Sequence, residues 1–354
     1  MRCFSPLTRS ASHALLSSAA LLVSGLACQA FTDLLLPPAT AVGGADSSIP
    51  TSVPSLVPTV QGNATCPDLT ADILKAANYG SSTGDDLGAT QGSSHEATYL
   101  TTYLVLGDHI GTPFLESVPA EFQDEQADAQ AQQRTWDYFT ALIPADQRRM
   151  LTAYVVITDG RDDILGAVTQ VRSPDRWALE IDIKDAEDPY DLTYTLLHEF
   201  AHLLTLNADQ VTPSLAVFNS PEDADVFERE AAACPRYFPG EGCSQPGSYL
   251  NTFYEQFWTD LYAQWSAIDQ EPDLDTYQER LREFYRKHRD RFVSEYAATS
   301  PEEDIAETWA YFVLSRKPNG DHKSEDKILF FYKYPELMRL REQILSNLCT
   351  NFPE

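Results

Sequence analysis

The sequence predicts an α+β fold in which a small mixed β-sheet precedes a histidine-bearing helix and a mainly helical C-terminal half. Three observations support this prediction. Short apolar segments rich in strand-forming residues occur between 97 and 183. The stretch 188–207 has the capping residues of a helix and apolar flanks. Beyond residue 248, amphipathic and aromatic patterns typical of helices dominate. The 354 residues suffice for one sizeable domain with appendages.

The first 28 residues have the composition of an export signal. "MRCFSPLTRS" carries two arginines and no acid, and the apolar run "ALLSSAALLVSGLA" follows it. That run is shorter than the roughly twenty residues that cross a membrane, so we interpret 1–28 as a signal peptide. It ends in "LVSGLACQA", which resembles a bacterial lipoprotein cleavage site with Cys28 lipidated, although Gly25 stands where leucine is usual. Ordinary cleavage after Ala30 is the competing interpretation.

Residues 29–65 are rich in proline, serine, threonine, glycine and alanine, which predicts an extended tether. The folded domain is then expected to cover 66–354. Because no later segment is long and apolar enough to cross a bilayer, we expect an exported protein. It would be either secreted or held at the outer cell surface by a lipid on Cys28.

The first half of the domain is predicted to supply the sheet. Residues 97–106, 152–160, 166–172 and 177–183 have strand composition. Between the first two of these, residues 124–142 are strong helix formers with an apolar face composed of Trp136, Phe139 and Leu142.

A helix is predicted to follow the last strand. Asp188 is its expected N-cap, Pro189 its first residue, and Asp191 lies in the first turn, where negative charge is favoured. Further helices are predicted at 248–265, 275–293, 301–316 and 335–348. The segment 207–295 is predicted to be mainly helical.

The predicted domain contains an even number of cysteines: Cys66, Cys234, Cys243 and Cys349. In an exported chain this predicts disulfides. The segment "CPRYFPGEGC" is a turn-rich loop suited to a local Cys234–Cys243 bond, which would leave Cys66 and Cys349 to join the two ends of the domain. Four buried free thiols are the alternative. The absence of CxxC spacing argues against a metal site on these cysteines.

The formal charge of −28 limits the expected partners. Removal of both signal arginines changes it to about −30, because 23 basic residues then face 53 acidic ones. Nucleic acid and anionic membrane surfaces are therefore poor partners. We interpret the acidic surface mainly as a source of solubility, although basic peptides would also suit it.

The stretch "TLLHEFAHLLTL" (195–206) places His198 and His202 one turn apart on the predicted helix. Both imidazoles can then reach one metal ion. Glu199 is rotated by about 100° from His198, which puts its carboxylate beside such an ion, where a general base would take a proton from bound water. Two satisfied histidines on a buried helix are the alternative. A catalytic zinc ion would also need a third protein ligand.

The third ligand must come from a distant part of the chain. The remaining histidines of the domain lie in no recognisable ligand setting: His95, His109, His288 and His322. The segment "YAATSPEEDIAETWAYF" (296–312) offers carboxylates instead, because Ser300 and Pro301 begin a predicted helix on which Glu303 and Glu307 share a face. One glutamate can bind the ion while the other accepts the N–H of a ligand histidine.

Taken together, these motifs resemble the gluzincins, zinc metallopeptidases with HExxH and a downstream glutamate. The likeness is nearest to the branch that contains anthrax lethal factor and related bacterial zinc-binding metallopeptidases, and it covers roughly 150–315. In that pattern a tyrosine precedes the ligand glutamate by seven residues and a second glutamate follows it by four. The resemblance implies a zincin-like fold with one catalytic Zn²⁺. It also implies that Glu303 is the third ligand, Glu307 the hydrogen-bond partner of a ligand histidine, and Tyr296 the donor to the reaction's oxyanion.

Two departures from the family pattern bear on these assignments. His202 and Glu303 are 101 positions apart, where the family usually has a few dozen residues. The insertion 207–295 would then shape the cleft. The glycine of the family motif HEFGH is replaced by Ala201, a small residue that should fit equally well.

Two assignments at the second helix have alternatives, those of Glu303 and Tyr296. Glu303 is three residues after Ser300 and would also complete a capping box. Asp304 is the next ligand candidate, although it lies about 100° away round the helix. Tyr296 would be an ordinary packed aromatic if it does not donate to an oxyanion.

The resemblance implies an exported zinc endopeptidase that acts on a peptide or protein substrate, and we expect it to be a monomer. An extended substrate would pair with an edge strand, either 166–172 or 177–183. A zinc amidase or deacetylase acting on cell-wall material is a second possibility. A surface lipoprotein with structural or lost zinc is a third, against which Glu199 argues because binding alone requires no base.

Overall fold

The structure is a computed structural model that describes residues 66–81, 97–161 and 164–353. The predicted signal peptide 1–28, with Cys28, and the predicted tether 29–65 lie outside the described residues. The described part of the chain belongs to one structural unit. Within it, no helix has the length and apolar character that a membrane span requires.

The predicted α+β class is confirmed, with a mixed sheet in the first half of the described chain. Its strands are β1 (Thr98–Leu106), β2 (His109–Ile110), β3 (Phe114–Leu115), β4 (Leu151–Thr158), β5 (Gly166–Gln170) and β6 (Trp177–Asp182). The order across the sheet is β2-β1-β4-β6-β5, and β3 also pairs with β1. β4 and β6 are parallel, whereas β1 and β5 each run antiparallel to their neighbours. All four strand predictions are confirmed within two residues, and β5 is the end strand.

The helix predicted at 124–142 is present but interrupted. It forms α2 (Gln123–Ala127) and α3 (Ala129–Leu142). The break falls at Asp128, which leaves the helical region so that its carboxylate can accept from the amide of Ala131 and cap α3. Trp136, Phe139 and Leu142 are buried on one face, as predicted.

α4 (Pro189–Leu206) follows the sheet, and its apolar residues belong to the same hydrophobic core. Further helices form most of the rest of the described chain. They are α1 (Cys66–Ser81), α5 (Leu215–Asn219), α6 (Ala224–Ala233), α7 (Tyr249–Phe257), α8 (Tyr262–Asp269), α9 (Leu274–Lys287), α10 (Pro301–Leu314), α11 (Lys323–Phe331) and α12 (Pro335–Asn351). The predicted helix 248–265 is divided into α7 and α8, where the chain turns at the fully buried Trp258. Two strands of three residues, β7 (Val211–Pro213) and β8 (Gly242–Ser244), form an antiparallel pair inside the insertion.

Both predicted disulfides are present. Cys234 and Cys243 close the short loop after α6, with their Cα atoms 5.4 Å apart. Cys66, at the start of α1, is bonded to Cys349 near the end of α12, with Cα atoms 5.5 Å apart. Disulfides of this kind persist in oxidising compartments, which agrees with the expectation of an exported chain.

Candidate metal centre

Two helices from distant parts of the sequence meet at the candidate site. α4 begins as predicted, because the Asp188 carboxylate accepts from the amides of Tyr190 and Asp191. α10 begins at Pro301, and the Ser300 hydroxyl accepts from the amide of Glu303 at 3.1 Å. The two helices pack directly against each other. The cap uses the backbone of Glu303, so its side chain stays available to face α4.

His198, His202 and Glu303 bring three ligand atoms together. Nε2 of His198 lies 3.0 Å from Oε2 of Glu303 and 3.1 Å from Nε2 of His202. Nε2 of His202 lies 3.3 Å from the same carboxylate oxygen. The two imidazoles are buried, and the carboxylate is partly exposed. These three residues form a group with the geometry to hold a metal ion.

The hydrogen-bond partners of His198 indicate which of its ring nitrogens carries the proton. Its Nδ1 lies 2.8 Å from Oε1 of Glu307. A carboxylate only accepts, so we assign the proton of the neutral ring to Nδ1, which leaves a lone pair on Nε2. That lone pair faces Glu303 and the Nε2 of His202. Three lone-pair-bearing atoms this close together, Nε2 of both histidines and Oε2 of Glu303, repel one another unless a proton or a metal ion lies between them.

The spacing of the three atoms fits a zinc ion. Ligand atoms bound at about 2.0 to 2.1 Å in tetrahedral geometry lie about 3.3 Å from one another. The observed separations of 3.0, 3.1 and 3.3 Å agree with this value. Two imidazoles with one carboxylate leave the fourth position open, which is the arrangement of catalytic rather than structural zinc.

Glu307 fixes the position of the His198 ring through Nδ1. Besides His198, it accepts from the hydroxyl of Tyr194 at 2.9 Å and from the hydroxyl of Ser294 at 2.5 Å. Three donors therefore hold this carboxylate in place inside the protein. Glu307 has the position predicted for it, beside a histidine and away from the three converging atoms, whereas Tyr194 and Ser294 were not predicted.

The charges of the site favour binding of a cation. Burial lowers the pKa of His198, but hydrogen bonds to Glu303 and Glu307 outweigh it and raise that pKa well above its usual value. Burial also acts to raise the pKa of Glu303, yet the two histidines dominate and hold it far below its ordinary range. Both pKa directions have one cause: the carboxylates of the site favour positive charge on or between the two histidines.

Glu199 is buried beside the two histidines on α4, with only 6% of its surface exposed. Burial raises its pKa, the two histidines lower it, and the other carboxylates of the site raise it further. The pKa remains above the ordinary glutamate value. A raised pKa suits a general base, which works best when its pKa approaches the working pH.

Tyr296 lies at the mouth of the site. Its ring centroid is 5.7 Å from that of His198, and 43% of the residue is exposed. It belongs to a single helical turn, Tyr296–Ala298, immediately before α10. The predicted tyrosine is therefore next to the histidines and open to an approaching ligand, unlike a packed core aromatic.

Asp304, about 100° round α10 from Glu303, contacts other residues than the histidines. Its carboxylate accepts from the indole of Trp258 at 2.7 Å and from the ammonium of Lys327 at 2.5 Å. Asp304 and Lys327 are both fully buried, and the ammonium lies 4.1 Å from the ring centroid of Phe292. The alternative ligand is thus occupied by an ion pair inside the helical half.

Sequence reasoning missed a second carboxylate cluster close to α10. Glu302 accepts from the hydroxyl of Tyr237 at 2.7 Å, and burial raises the pKa of Glu302 to about 8. Burial likewise raises the pKa of Glu241 to about 7, while His202 lowers it and Glu303 raises it. Glu241 and Tyr237 lie in the disulfide loop of the insertion, and no sequence spacing connects them with the HExxH helix.

A third acidic group lies at the ends of β4 and β6. Carboxylate oxygens of Asp159, Asp182 and Asp185 lie within 4.8 Å of one another. The Asp182 carboxylate accepts from the amides of Asp159 and Lys184, both at 2.7 Å. This residue therefore organises the two turns that leave the sheet.

Comparison with known proteins gives no further support, because no family model, curated protein or solved structure matches this chain. The interpretation of the site consequently depends on its own geometry.

Proposed function

We propose that this protein is an exported zinc-dependent endopeptidase with a zincin-like fold. One observation carries the proposal: the lone pairs of His198, His202 and Glu303 converge at 3.0 to 3.3 Å, and Glu199 is buried next to them on the same helix. Metal binding alone would explain the three ligands. A buried carboxylate next to them on the same helix is explained by hydrolysis, which needs a base.

The relation of the sheet to α4 supports the zincin-like fold. The end strand β5 runs antiparallel to β6 and lies against α4. At the contact, a Cβ built on Gly166 would lie 2.9 Å from the Thr195 methyl, one turn before His198. Burial raises the pKa of Glu180 on β6, and the nearby negative charge of Glu199 adds to this, so the two carboxylates lie within electrostatic range of each other. The strand edge and the candidate base therefore border the same region.

The roles of the chain's own residues follow from their positions. Zinc, when bound, would supply Lewis acidity that polarises a carbonyl and makes water more acidic. Glu199 would take the proton of the attacking water and pass it to the leaving amine. Glu307 holds the His198 ring by its Nδ1 proton, so that Nε2 stays a ligand. Tyr296 would donate its hydroxyl to the negative oxygen that forms on the substrate carbonyl.

β5 is the better candidate of the two predicted edge strands for substrate pairing. β6 lies between β4 and β5, so its backbone groups are already paired on both sides. β5 pairs with β6 alone among the described strands. An extended peptide can therefore add to β5 by backbone hydrogen bonds, which would place its scissile bond across the start of the HExxH segment.

Export is supported by the two disulfides. A lipid on Cys28 would hold the peptidase at the cell surface. Cleavage after Ala30 would make it a secreted peptidase. We further propose that it acts as a monomer, with the peptide or protein substrate as its partner.

The test combines metal removal with one substitution. The purified protein should cleave an unstructured protein such as casein, lose this activity with a chelator, and regain it with zinc. Glu199→Gln should bind zinc at the same stoichiometry but lose at least a hundredfold in kcat/KM, because the base is absent. Glu279→Gln, an exposed residue on α9, is the matched control.

The outcomes separate the competing functions. Unchanged cleavage in Glu199→Gln would refute the proposed mechanism. Release of amide or acetyl groups from cell-wall fragments, without cleavage of any peptide library, would favour the amidase or deacetylase. Zinc binding with no hydrolysis of either substrate class would indicate a non-catalytic surface protein.

A further inference from the structure

The second histidine of the site lacks the anchor that the first one has. Nε2 of His202 faces His198 and Glu303, so this atom is the one directed at the metal position. The proton of the neutral ring then belongs on Nδ1. Within the described residues, Nδ1 of His202 is buried and has no hydrogen-bond partner. A metal-binding histidine almost always donates this proton to a carboxylate, a carbonyl or a water.

An unsatisfied acceptor lies in the same part of the protein. Glu241 is only 8% exposed, and its Oε2 is buried without a hydrogen-bond partner among the described residues. His202 and Glu303 both influence its pKa, so its carboxyl is within electrostatic range of the site. A buried polar atom with no partner costs free energy, and here a buried donor and a buried acceptor share one region.

The backbone next to Glu241 is fixed to the segment that follows α4. The carbonyl of Glu241 accepts from the amide of Ser214 at 2.7 Å. At Gly242, which has a φ of +159°, any Cβ would overlap the carbonyl oxygen of Thr212. The close approach to β7 therefore requires glycine. Three residues after Gly242, the amide of Gln245 donates to the carbonyl of Gln210 at 2.8 Å.

The same loop is also fixed to α10. Tyr237 donates to Glu302, the neighbour of Glu303, and stacks on Tyr254 with centroids 4.3 Å apart. The Cys234–Cys243 bond closes the loop that carries both Tyr237 and Glu241. The loop is thereby held between the C-terminal end of α4 and the N-terminal end of α10, which are the two elements that supply the ligands.

We propose that Glu241 is a positioning residue for His202: its carboxylate accepts the Nδ1 proton of His202, directly or through one water. Glu241 would then do for the second histidine what Glu307 does for the first. The inserted segment 207–295 accordingly supplies part of the metal centre. This inference rests on the proposed zinc site.

The test measures zinc affinity, by competition with a chelator of known affinity. Glu241→Leu removes the acceptor at similar volume and should weaken zinc binding about 10- to 100-fold. Glu241→Gln keeps an acceptor oxygen and should stay within a few-fold of the wild type. Glu228→Leu changes an exposed glutamate on α6 of the same insertion and should have no effect.

A second readout reports on the histidine itself. In zinc-loaded protein with ¹⁵N-labelled histidine, the Nδ1 proton of His202 should exchange slowly with water in the wild type and in Glu241→Gln. It should exchange faster in Glu241→Leu. Circular dichroism and the mass of the disulfide-linked peptide verify that each variant is folded.

The two proposals fail in different ways. A wild-type protein that binds no zinc overturns the proposed function. A wild type that binds zinc, with equal affinity in Glu241→Leu and Glu228→Leu, overturns only the role of Glu241. A change in substrate preference at unchanged zinc affinity would also overturn it, because Glu241 would then contact substrate rather than His202.

Discussion

Nδ1 of His198 lies 2.8 Å from Oε1 of Glu307, although 109 positions separate the two residues. This contact links the HExxH helix to α10 and determines which nitrogen of His198 can bind an ion. Glu303 lies one turn before Glu307 on α10, and its Oε2 lies 3.0 Å from the other ring nitrogen, Nε2 of His198. Asp304, the next residue after Glu303, contacts Trp258 and Lys327 instead, and this difference is the basis of the first prediction.

Replacing the two neighbouring acids of α10 should have opposite consequences. Glu303→Ala removes one of three ligands, so zinc content after dialysis should fall well below one ion per chain while the fold persists. Asp304→Ala should keep the zinc but lower the free energy of unfolding by about 3 to 5 kcal/mol, because it leaves Lys327 buried and unpaired. Elemental analysis and urea unfolding measure the two effects.

The ion pair offers its own control. In the double variant Asp304→Leu with Lys327→Met, both charges are gone, and most of the lost stability should return, apart from the cost of leaving the Trp258 indole without an acceptor. Full zinc content in Glu303→Ala, or its loss in a folded Asp304→Ala, would contradict the ligand assignment.

The two disulfides should contribute unequally to stability. In the chain-entropy account, closing a loop of almost the whole domain stabilises by about 5 kcal/mol, and a ten-residue loop by about 3 kcal/mol. The pair Cys66→Ser with Cys349→Ser should thus be the more damaging in urea unfolding. Peptide mapping without reductant should recover both linked fragments. A free Cys66 or Cys349 in the native protein would contradict the assignment.

Much of the local structure was predictable because its causes are local. Asp188 and Pro189 specify where α4 begins, and the capping interactions are those predicted. The spacing of His198 and His202 alone predicts two imidazoles on one face. The Cys234–Cys243 bond is likewise a property of one short turn-rich segment.

What the sequence could not predict depends on contacts between distant segments. The Glu241 loop reaches the site only because β7 and β8 pair, and strands of three residues carry too little pattern to recognise. The break after Phe257 depends on the burial of Trp258 against Asp304, 46 positions away. Similarly, the pairing of Asp304 with Lys327 could not be read from either segment alone.

The acidic group at the strand ends should make stability depend on pH. Burial, with the charges of Asp182 and Asp159, raises the pKa of Asp185 to about 7, against 3.8 for an ordinary aspartate. The folded state therefore holds more protons between about pH 4 and pH 7, and the free energy of unfolding must fall as the pH rises through this window.

Asp185→Asn isolates this contribution. From pH 4 to pH 8, the metal-free wild type should lose on the order of 2 kcal/mol relative to this variant, allowing for partial solvent screening. Urea unfolding at several pH values measures the difference, with the exposed Asp209→Asn as control. Parallel stability profiles for wild type and Asp185→Asn would show that Asp185 titrates normally.

The last prediction concerns the open side of the site. Tyr296→Phe keeps the aromatic ring next to His198 and removes only the hydroxyl, which is not among the three converging ligand atoms, so zinc content should not change. If the hydroxyl donates to the substrate's oxyanion, kcat should fall about 100- to 1,000-fold while KM changes little, since the interaction forms only in the transition state. Steady-state kinetics on a peptide substrate, with Tyr285→Phe on α9 as control, provides the measurement. An unchanged kcat in the zinc-loaded variant would leave Tyr296 as part of the wall of the site and would require another donor for the oxyanion.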